Sequence, residues 1–436
     1  MAVAAVACKA DEPGDDAGAV EVRFWDDVAP IYYARCVTCH REGGIAPLRL
    51  DNYEDAKMWG QAAASETAAR TMPPWGVVSD GSCGEFRGSM ALHDDEIATI
   101  AAWVDGGMIE GERRSDLAVP EDDGLADGLA DGLALSTPDF VPVVQGGPYA
   151  ASDEYRCFLV DPGLDADAFI TGYHTAPGEP SLVHHVLLMP IDPELDVGGG
   201  MTNLDVIEGL DAESPDRAGW PCFGLAGDGV EVGSIPVIWA PGQGTVEYPE
   251  GVGAPLRADD VVVIQVHYNL AAQDHVGASD STTVRLRLAD AVDLEAIYVA
   301  IDPFLDTLFE EQPDTLPAGE SSATYTWEVP VGAWLESLGL PSAQLWGLFP
   351  HMHERGRTMR VEIDGDGAGA YACAAEVPAW DFHWQLQYFF TEPMSIGPGA
   401  TMRTTCTYDT RDASEPVSPG WGTGNEMCFV GALITP

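Results

Sequence analysis

The chain has 436 residues, room for two to three compact domains, and an apolar share of 46% that suffices for ordinary cores. Its 71 Asp and Glu against 20 Lys and Arg give a net charge of −51, and Lys9 and Lys57 are its only lysines. Such a surface repels nucleic acid and anionic lipid headgroups, which excludes both as partners; the acid is spread along the chain and bears on solubility, not on a reaction.

The opening residues, Met1 to Cys8 (MAVAAVAC), set small side chains before a cysteine, as at a lipoprotein cleavage site. Residues 1–19 therefore read as an export leader, with Cys8 as the point where a lipid would join. The competing reading is a frayed N-terminus with an incidental cysteine, because no basic stretch precedes it. The nine cysteines suit an exported protein, periplasmic or at the cell surface. No uninterrupted apolar run approaches about 18 residues, so only a lipid on Cys8 would bring the chain to a membrane.

Residues 20–113 read as a small all-α domain. Phe24, Val28, Ile31 and Tyr32 recur at helical spacing, with Pro30 inside the pattern to kink the helix or delay its start. A clearer helix begins near Asp94, carries Ile97, Ile100, Ala101 and Val104 on one face, and stops at Gly106–Gly107. Residues 114–138 form an acidic linker holding three copies of Asp-Gly-Leu-Ala over 123–134, repeats too short for a solenoid. Beyond it, short β-rich runs alternate with Gly, Pro and Asp turns. That texture suggests two all-β jelly-roll or β-sandwich domains, over 139–290 and 291–436.

Within the helical part, Cys36-Val-Thr-Cys39-His40 is the pattern for covalent attachment of a c-type haem. Its thiols add to the vinyl groups, and His40 is then placed to bind the iron. A zinc half-site would need a second Cys/His pair nearby, and a redox CxxC would need a βαβ setting; neither is present. These residues make the domain cytochrome c-like. Met72 is the preferred sixth ligand because Pro73 and Pro74 stiffen its backbone, and His/Met ligation raises the potential in a way that suits electron transfer. Met90 is the fallback, while Met58 and Met108 lie in helical patterns and are assigned to the core.

In the β-rich part, His184-His185, His267, the triplet His351-Met352-His353, and Met427 stand out. In a strand, His351 and His353 share a face while Met352 points away. Adjacent His184 and His185 face opposite sides of a regular strand, so joint use of both requires a strand end or a bulge. Gln265 shares the face of His267 and is grouped with the catalytic residues. Imidazole serves several metals, whereas a thioether selects soft Cu(I). His174, His275 and His383 have no partner at ligand spacing and read as structural, and His93 as a helix cap.

Together the stretches VHHVLL, QVHY, HMH and EMC resemble the copper type II, ascorbate-dependent monooxygenases, the peptidylglycine α-hydroxylating and dopamine β-monooxygenase family, over about residues 150–436. The resemblance implies two copper ions. His184, His185 and His267 would form the electron-storing site; His351, His353 and Met427 would form the oxygen-binding, catalytic site. It also implies the disulfides Cys406–Cys428 and Cys157–Cys222, leaving Cys83 and Cys373 free or paired with each other. The layout with a haem domain, the MPPW stretch and residues 380–385 (WDFHWQ) resemble bacterial fusions of a cytochrome c to this core.

The expected reaction is hydroxylation of a C–H bond of a small-molecule or peptide-like substrate with O2. Electrons would come from ascorbate or another one-electron reductant, or from an external donor through haem c. Two departures shape the expected substrate. The arginine and tyrosine with which peptidylglycine hydroxylases hold a carboxylate are replaced by Phe349 and Gly431, so the pocket should be more apolar. The alternative is an exported copper and haem electron carrier, or a copper-handling protein, with a closed β-half and no substrate.

Overall fold

The computed structural model describes residues 21–42, 46–119, 129–144, 153–222, 225–240, 243–270, 277–382, 384–422 and 424–436. The chain divides into two compact units, one of Met1–Pro73 with Leu92–Pro120, the other of Pro74–Ala91 with Glu121–Pro436. The Cys8 expectation lies outside the described residues. Among these, no helix is long and apolar enough to cross a membrane.

The first unit is helical. A π-helical turn, Phe24–Val28, runs into α1 (Ala29–Arg35), followed by α2 (Tyr53–Ala68) and α3 (Asp94–Asp105). Pro30 falls in the first turn of α1, just after the π-helical turn, so helical backbone is continuous from Phe24 and the change from π to α pattern falls at the proline. Asn52 caps α2 by accepting from Asp55 N at 3.0 Å. His93 is the N-cap of α3, and its backbone N–H donates to the Glu96 carboxylate at 2.8 Å. Ile100, Trp103 and Val104 of α3 pack with Phe24, Val28 and Tyr32 into one core. Met108 packs on that core as expected, but Met58 is 72% exposed, a correction to its core assignment. The apolar stripe of α2 runs through the small residues Ala56, Gly60 and Ala64 and leaves Met58 outside it.

The second unit is two β-sandwiches. In the N-terminal one, β1 (Leu133–Ser136), β12 (Thr283–Ala289), β3 (Ala168–Ala176), β10 (Val252–Leu256) and β13 (Leu294–Glu295) lie in that order, with β9 (Val246–Glu247) also on β3. The facing sheet runs β7 (Trp220–Pro221), β2 (Asp153–Val160), β11 (Val261–Asn269), β4 (Val183–Ile191), β8 (Val237–Trp239). A hairpin, β5 (Asp196–Gly198) and β6 (Met201–Thr202), leads to α4 (Asn203–Ala212). β1 begins inside the last Asp-Gly-Leu-Ala copy, whose Leu133 and Ala134 pair with β12, and Leu135 just after it joins the core.

The C-terminal sandwich stacks β14 (Ile297–Ile301), β21 (Phe429–Thr435), β16 (Ala343–His351), β19 (Tyr388–Ile396) against β15 (Ala323–Val329), β20 (Thr401–Tyr408), β17 (Gly356–Asp364), β18 (Ala372–Val377). Residues 74–91 are stitched to this sandwich and not to the helices that flank them in sequence. Val78 N donates to Glu376 O, Arg87 N to Phe389 O and Thr391 N to Glu85 O, at 2.8, 2.8 and 2.9 Å. Cys83 and Cys373 are disulfide-bonded, as are Cys157–Cys222 and Cys406–Cys428.

β2, β11 and β4 are buried on both faces. Val262, Ile264 and Val266 point into the sandwich core. The other face is covered in part by a second apolar cluster that includes Val263, Cys157, Met189 and Trp220 and packs against Tyr298 and Phe349 of the C-terminal sandwich. The histidines lie on this second face.

Candidate metal centre

Registry puts the first ligand set together. Across the β11–β4 pair, His267 lies opposite His185 but Tyr268 lies opposite Val183, so His184 is the extra residue of a β-bulge. The bulge satisfies the requirement set by two adjacent histidines. His184 Nδ1 and His267 Nδ1 each stand 3.4 Å from His185 Nδ1. Nitrogens this close could share one metal ion. The rear of the rings is held as well: His185 Nε2 is 3.3 Å from Gln265 Oε1, and His267 Nε2 is 3.5 Å from Asp153 Oδ1. Gln265 thus lies behind a ligand, where it fixes the ring's tautomer. Tyr155, opposite His267 on β2, stacks on its imidazole at 3.9 Å between centroids.

The second set is built at strand ends. His351 closes β16, and His353 lies just beyond it, while Met352 turns into the core as expected. His351 Nδ1 lies 2.5 Å from Gln385 Oε1, and His353 Nδ1 lies 3.1 Å from Asn425 O. Both contacts place the proton on Nδ1 and leave Nε2 as the ligand atom. Glu426, next to Met427, accepts from His353 N at 2.9 Å and Arg355 N at 2.7 Å, tying the histidine loop to the methionine segment. Gly356 is required here, since a Cβ would come within 2.6 Å of Trp380 Cδ1, and Trp380 Nε1 donates to His353 O at 3.0 Å.

Burial keeps these imidazoles neutral. It holds His185 well below the usual value, with His267 adding to the effect, and lowers His267 despite Asp153. Burial also brings His351 down to about 4 and His353 to about 3. The lone pairs are therefore available at neutral pH. With a thioether and no carboxylate in either proposed ligand set, the donors fit copper.

Both sets open onto one cavity of about 120 Å³ between the sandwiches. All six predicted copper ligands line it, with Leu187, Ile235, Ile238, Trp239, Phe349, Phe382 and Phe429 among the apolar walls and no Asp, Glu, Lys or Arg among the described lining residues. Gln265 does not line it. Phe349 and Gly431 are cross-strand partners, and the Phe349 Cβ stands 3.2 Å from where a Cβ of residue 431 would be. The two departures seen in the sequence are thus one concerted change: a ring laid over a position without a side chain.

In the helical unit, Cys36 caps α1, and Cys39 N and His40 N both donate to Cys36 O, at 3.1 and 2.9 Å. Neither Cys36 nor Cys39 is in a disulfide. Burial, with Cys39 nearby, pushes the Cys36 thiol up to about 12. His40 Nδ1 is 3.1 Å from Leu48 O, leaving Nε2 as its free lone pair. This donor chemistry fits haem attachment. Met72 is 38% exposed in the same unit, whereas Met90 falls in the segment that belongs to the β-unit. His174 pairs with Thr245 Oγ1 at 3.3 Å, and His275 and His383 lie outside the described residues. Sequence reasoning missed Tyr155 and Asp153, which carry no motif of their own, and gave no role to Gln385 and Glu426, which lie in the WDFHWQ and EMC stretches.

The β-unit is two sandwiches whose one apolar cavity is lined by two clusters of side chains able to bind metal. Residues 335–430 match the family model described as the copper type II ascorbate-dependent monooxygenase, C-terminal domain. The chain is 24% identical over 309 residues to a tyramine beta-hydroxylase of Caenorhabditis briggsae, covering 67% of this chain and 46% of that protein. It is 27% identical over 271 residues to the human DBH-like monooxygenase protein 1, covering 59% and 40%. These matches support the copper type II monooxygenase family. The chain spans less than half the length of these curated relatives. Among solved structures, a striped bass fucolectin aligns at 9% identity over 71% of this chain and 98% of that one, with a TM-score of 0.18, which carries no argument.

Proposed function

We propose that the chain is an exported copper monooxygenase that hydroxylates a C–H bond of a small, uncharged, largely apolar molecule with O2, drawing electrons through a haem attached at Cys36 and Cys39. The observation that carries this reading is the convergence of six ligand side chains on one cavity without a charged residue among its described walls. Inserting one oxygen atom and reducing the other to water takes two electrons and two protons beyond those of the substrate. Copper at the two sets would supply one-electron chemistry and oxygen activation, and haem would supply electrons one at a time.

The remaining work falls to the protein. Gln265, Asp153, Gln385 and the Asn425 carbonyl hold four of the six side chains, His185, His267, His351 and His353, in fixed tautomers. The aromatic and aliphatic walls exclude water from the reacting centre. A cationic amine or a carboxylate would lose its hydration in this cavity with no described lining side chain to compensate it, so neutral substrates are favoured. The volume is comparable to the roughly 150 Å³ apolar cavity that accepts benzene. A substrate-free electron carrier or copper-handling protein predicts no cavity between the centres, which this arrangement disfavours.

The test is substrate-dependent oxygen uptake with copper-loaded chain and ascorbate, across neutral and charged C–H substrates, with product mass. Uptake coupled to a product heavier by one oxygen atom, for neutral substrates, is the expected result. Two coppers bound without any coupled uptake would favour the electron carrier. Replacing Cys36 and Cys39 with Ser should remove the haem spectrum and leave an ascorbate-driven reaction intact.

A further inference from the structure

Exposure is graded along the cavity wall, and the gradient gives the cavity a floor and a mouth. Ile238, Trp239, Phe382 and Met427 are buried and form the floor. Leu187 of β4, Phe349 of β16, Phe429 of β21, and Leu225 and Trp421 from loops are half-buried, and Ala300 of β14 is exposed; these six form the mouth. The histidine–methionine set follows the same gradient, with His353 and Met427 buried and His351 half-buried toward the mouth. Phe349 and Phe429 carry apolar surface from the mouth to that set, their ring centroids 6.1 and 6.0 Å from the His351 imidazole.

The chain carries a net charge of −51, yet these six described mouth residues are all apolar. Apolar side chains gathered round one opening stay in contact with water unless something apolar covers them. The floor cannot hold all of that something: an apolar cavity of about 150 Å³ takes benzene, so one of about 120 Å³ takes about five carbons. A molecule that fills the floor and also covers the mouth is longer than the cavity.

We propose that the substrate carries an alkyl chain longer than the cavity, with its reacting end on the floor beside His353 and Met427 and its next methylenes running out between Phe349, Phe429 and Trp421. This inference rests on the neutral-substrate reading above and names the substrate class. The surrounding negative charge disfavours an anionic group at the outer end, so the head is uncharged.

The test is calorimetric binding of 1-alkanols from pentanol to nonanol to the full chain, copper-loaded and metal-free. Affinity at one site per chain should keep rising beyond pentanol by about two- to fourfold per added methylene, because full burial of a methylene is worth about fourfold. Ala300→Glu, a change at an exposed strand position, should leave pentanol binding unchanged and weaken nonanol about fivefold, and Leu225→Gln should act in the same direction. Affinity that levels off at pentanol or hexanol, or nonanol binding untouched by both substitutions, would overturn the proposal and leave the reading of a small neutral substrate standing. Equal losses for pentanol and nonanol in both variants would place the effect on the floor and also overturn it. If no alkanol binds, the neutral-substrate reading falls, and the chain proposal with it.

Discussion

The three-histidine set and the histidine–methionine set face the same cavity but are made differently. The first stands on the central strands of a sheet buried on both faces, with a bulge to bring His184 round, and presents Nδ1 atoms backed by Gln265 and Asp153. The second stands at a strand end and in two loops, presents Nε2 atoms backed by Gln385 and a backbone carbonyl, and adds a thioether. A site with three imidazoles and a carboxylate behind one of them accommodates both copper oxidation states, whereas a thioether favours the reduced ion. The lesson is that one apolar cavity can be lined by two donor sets of unlike character because donor type and backing group, not burial, distinguish them.

The largest expected effect breaks the comparison outright. Met427→Ile should bring hydroxylation to background and cost the second set its preference for Cu(I), while the first set's copper and the haem spectrum stay unchanged; copper analysis and a turnover assay check both. Activity that survives would mean oxygen is handled elsewhere. Next come the amides behind the rings. Gln265→Leu should weaken copper about 10- to 100-fold at the first set alone, and Gln385→Leu by a similar factor at the second alone, as read by competitive titration. Cross-effects of equal size would show that the two sets are not independent.

The pH dependence of the metal-free protein sharpens the comparison at moderate cost. All four of His185, His267, His351 and His353 are depressed by burial, so the unfolded chain binds protons that the folded chain refuses. Stability from these rings is fully present above the unfolded value of about 6.5 and is lost as pH falls toward about 4 for His351 and about 3 for His353. Between pH 6.5 and 5 the loss should be roughly 2 kcal/mol for each of His351 and His353, measured by urea unfolding, and His351→Phe or His353→Phe should each flatten the slope. A slope unchanged by either substitution would contradict neutral buried rings. The smallest effect concerns the carboxylate. Asp153→Asn should make the first set resemble the second, lowering its copper affinity by roughly tenfold or less.

Much of this site was legible in the sequence because ligand chemistry is local. The pairs at 184/185 and 351/353 carry their own spacing, and the need for a bulge follows from strand geometry alone. The stripe of α3 was equally readable: Ile100 and Val104 are buried where the periodicity put them. Met58 shows the limit. Its helical position was clear, but only packing decided that small residues, not Met58, face the core.

By itself the sequence determined the candidate donor types, the CxxCH segment, the change from helical to β texture, and the presence of Phe349 and Gly431 at two positions facing the site. Tertiary structure alone decided that Phe349 lies over Gly431, that residues 74–91 belong to the β-unit, and that Cys83 pairs with Cys373 across a separation of 290 residues. It also decided that the Phe382 ring lies against both His184 and His353. The reason is physical: periodicity and motif report on neighbours within a turn or a strand. Contacts between segments hundreds of residues apart are fixed by sheet registry and by how two sandwich faces close, and neither leaves a local mark on the chain.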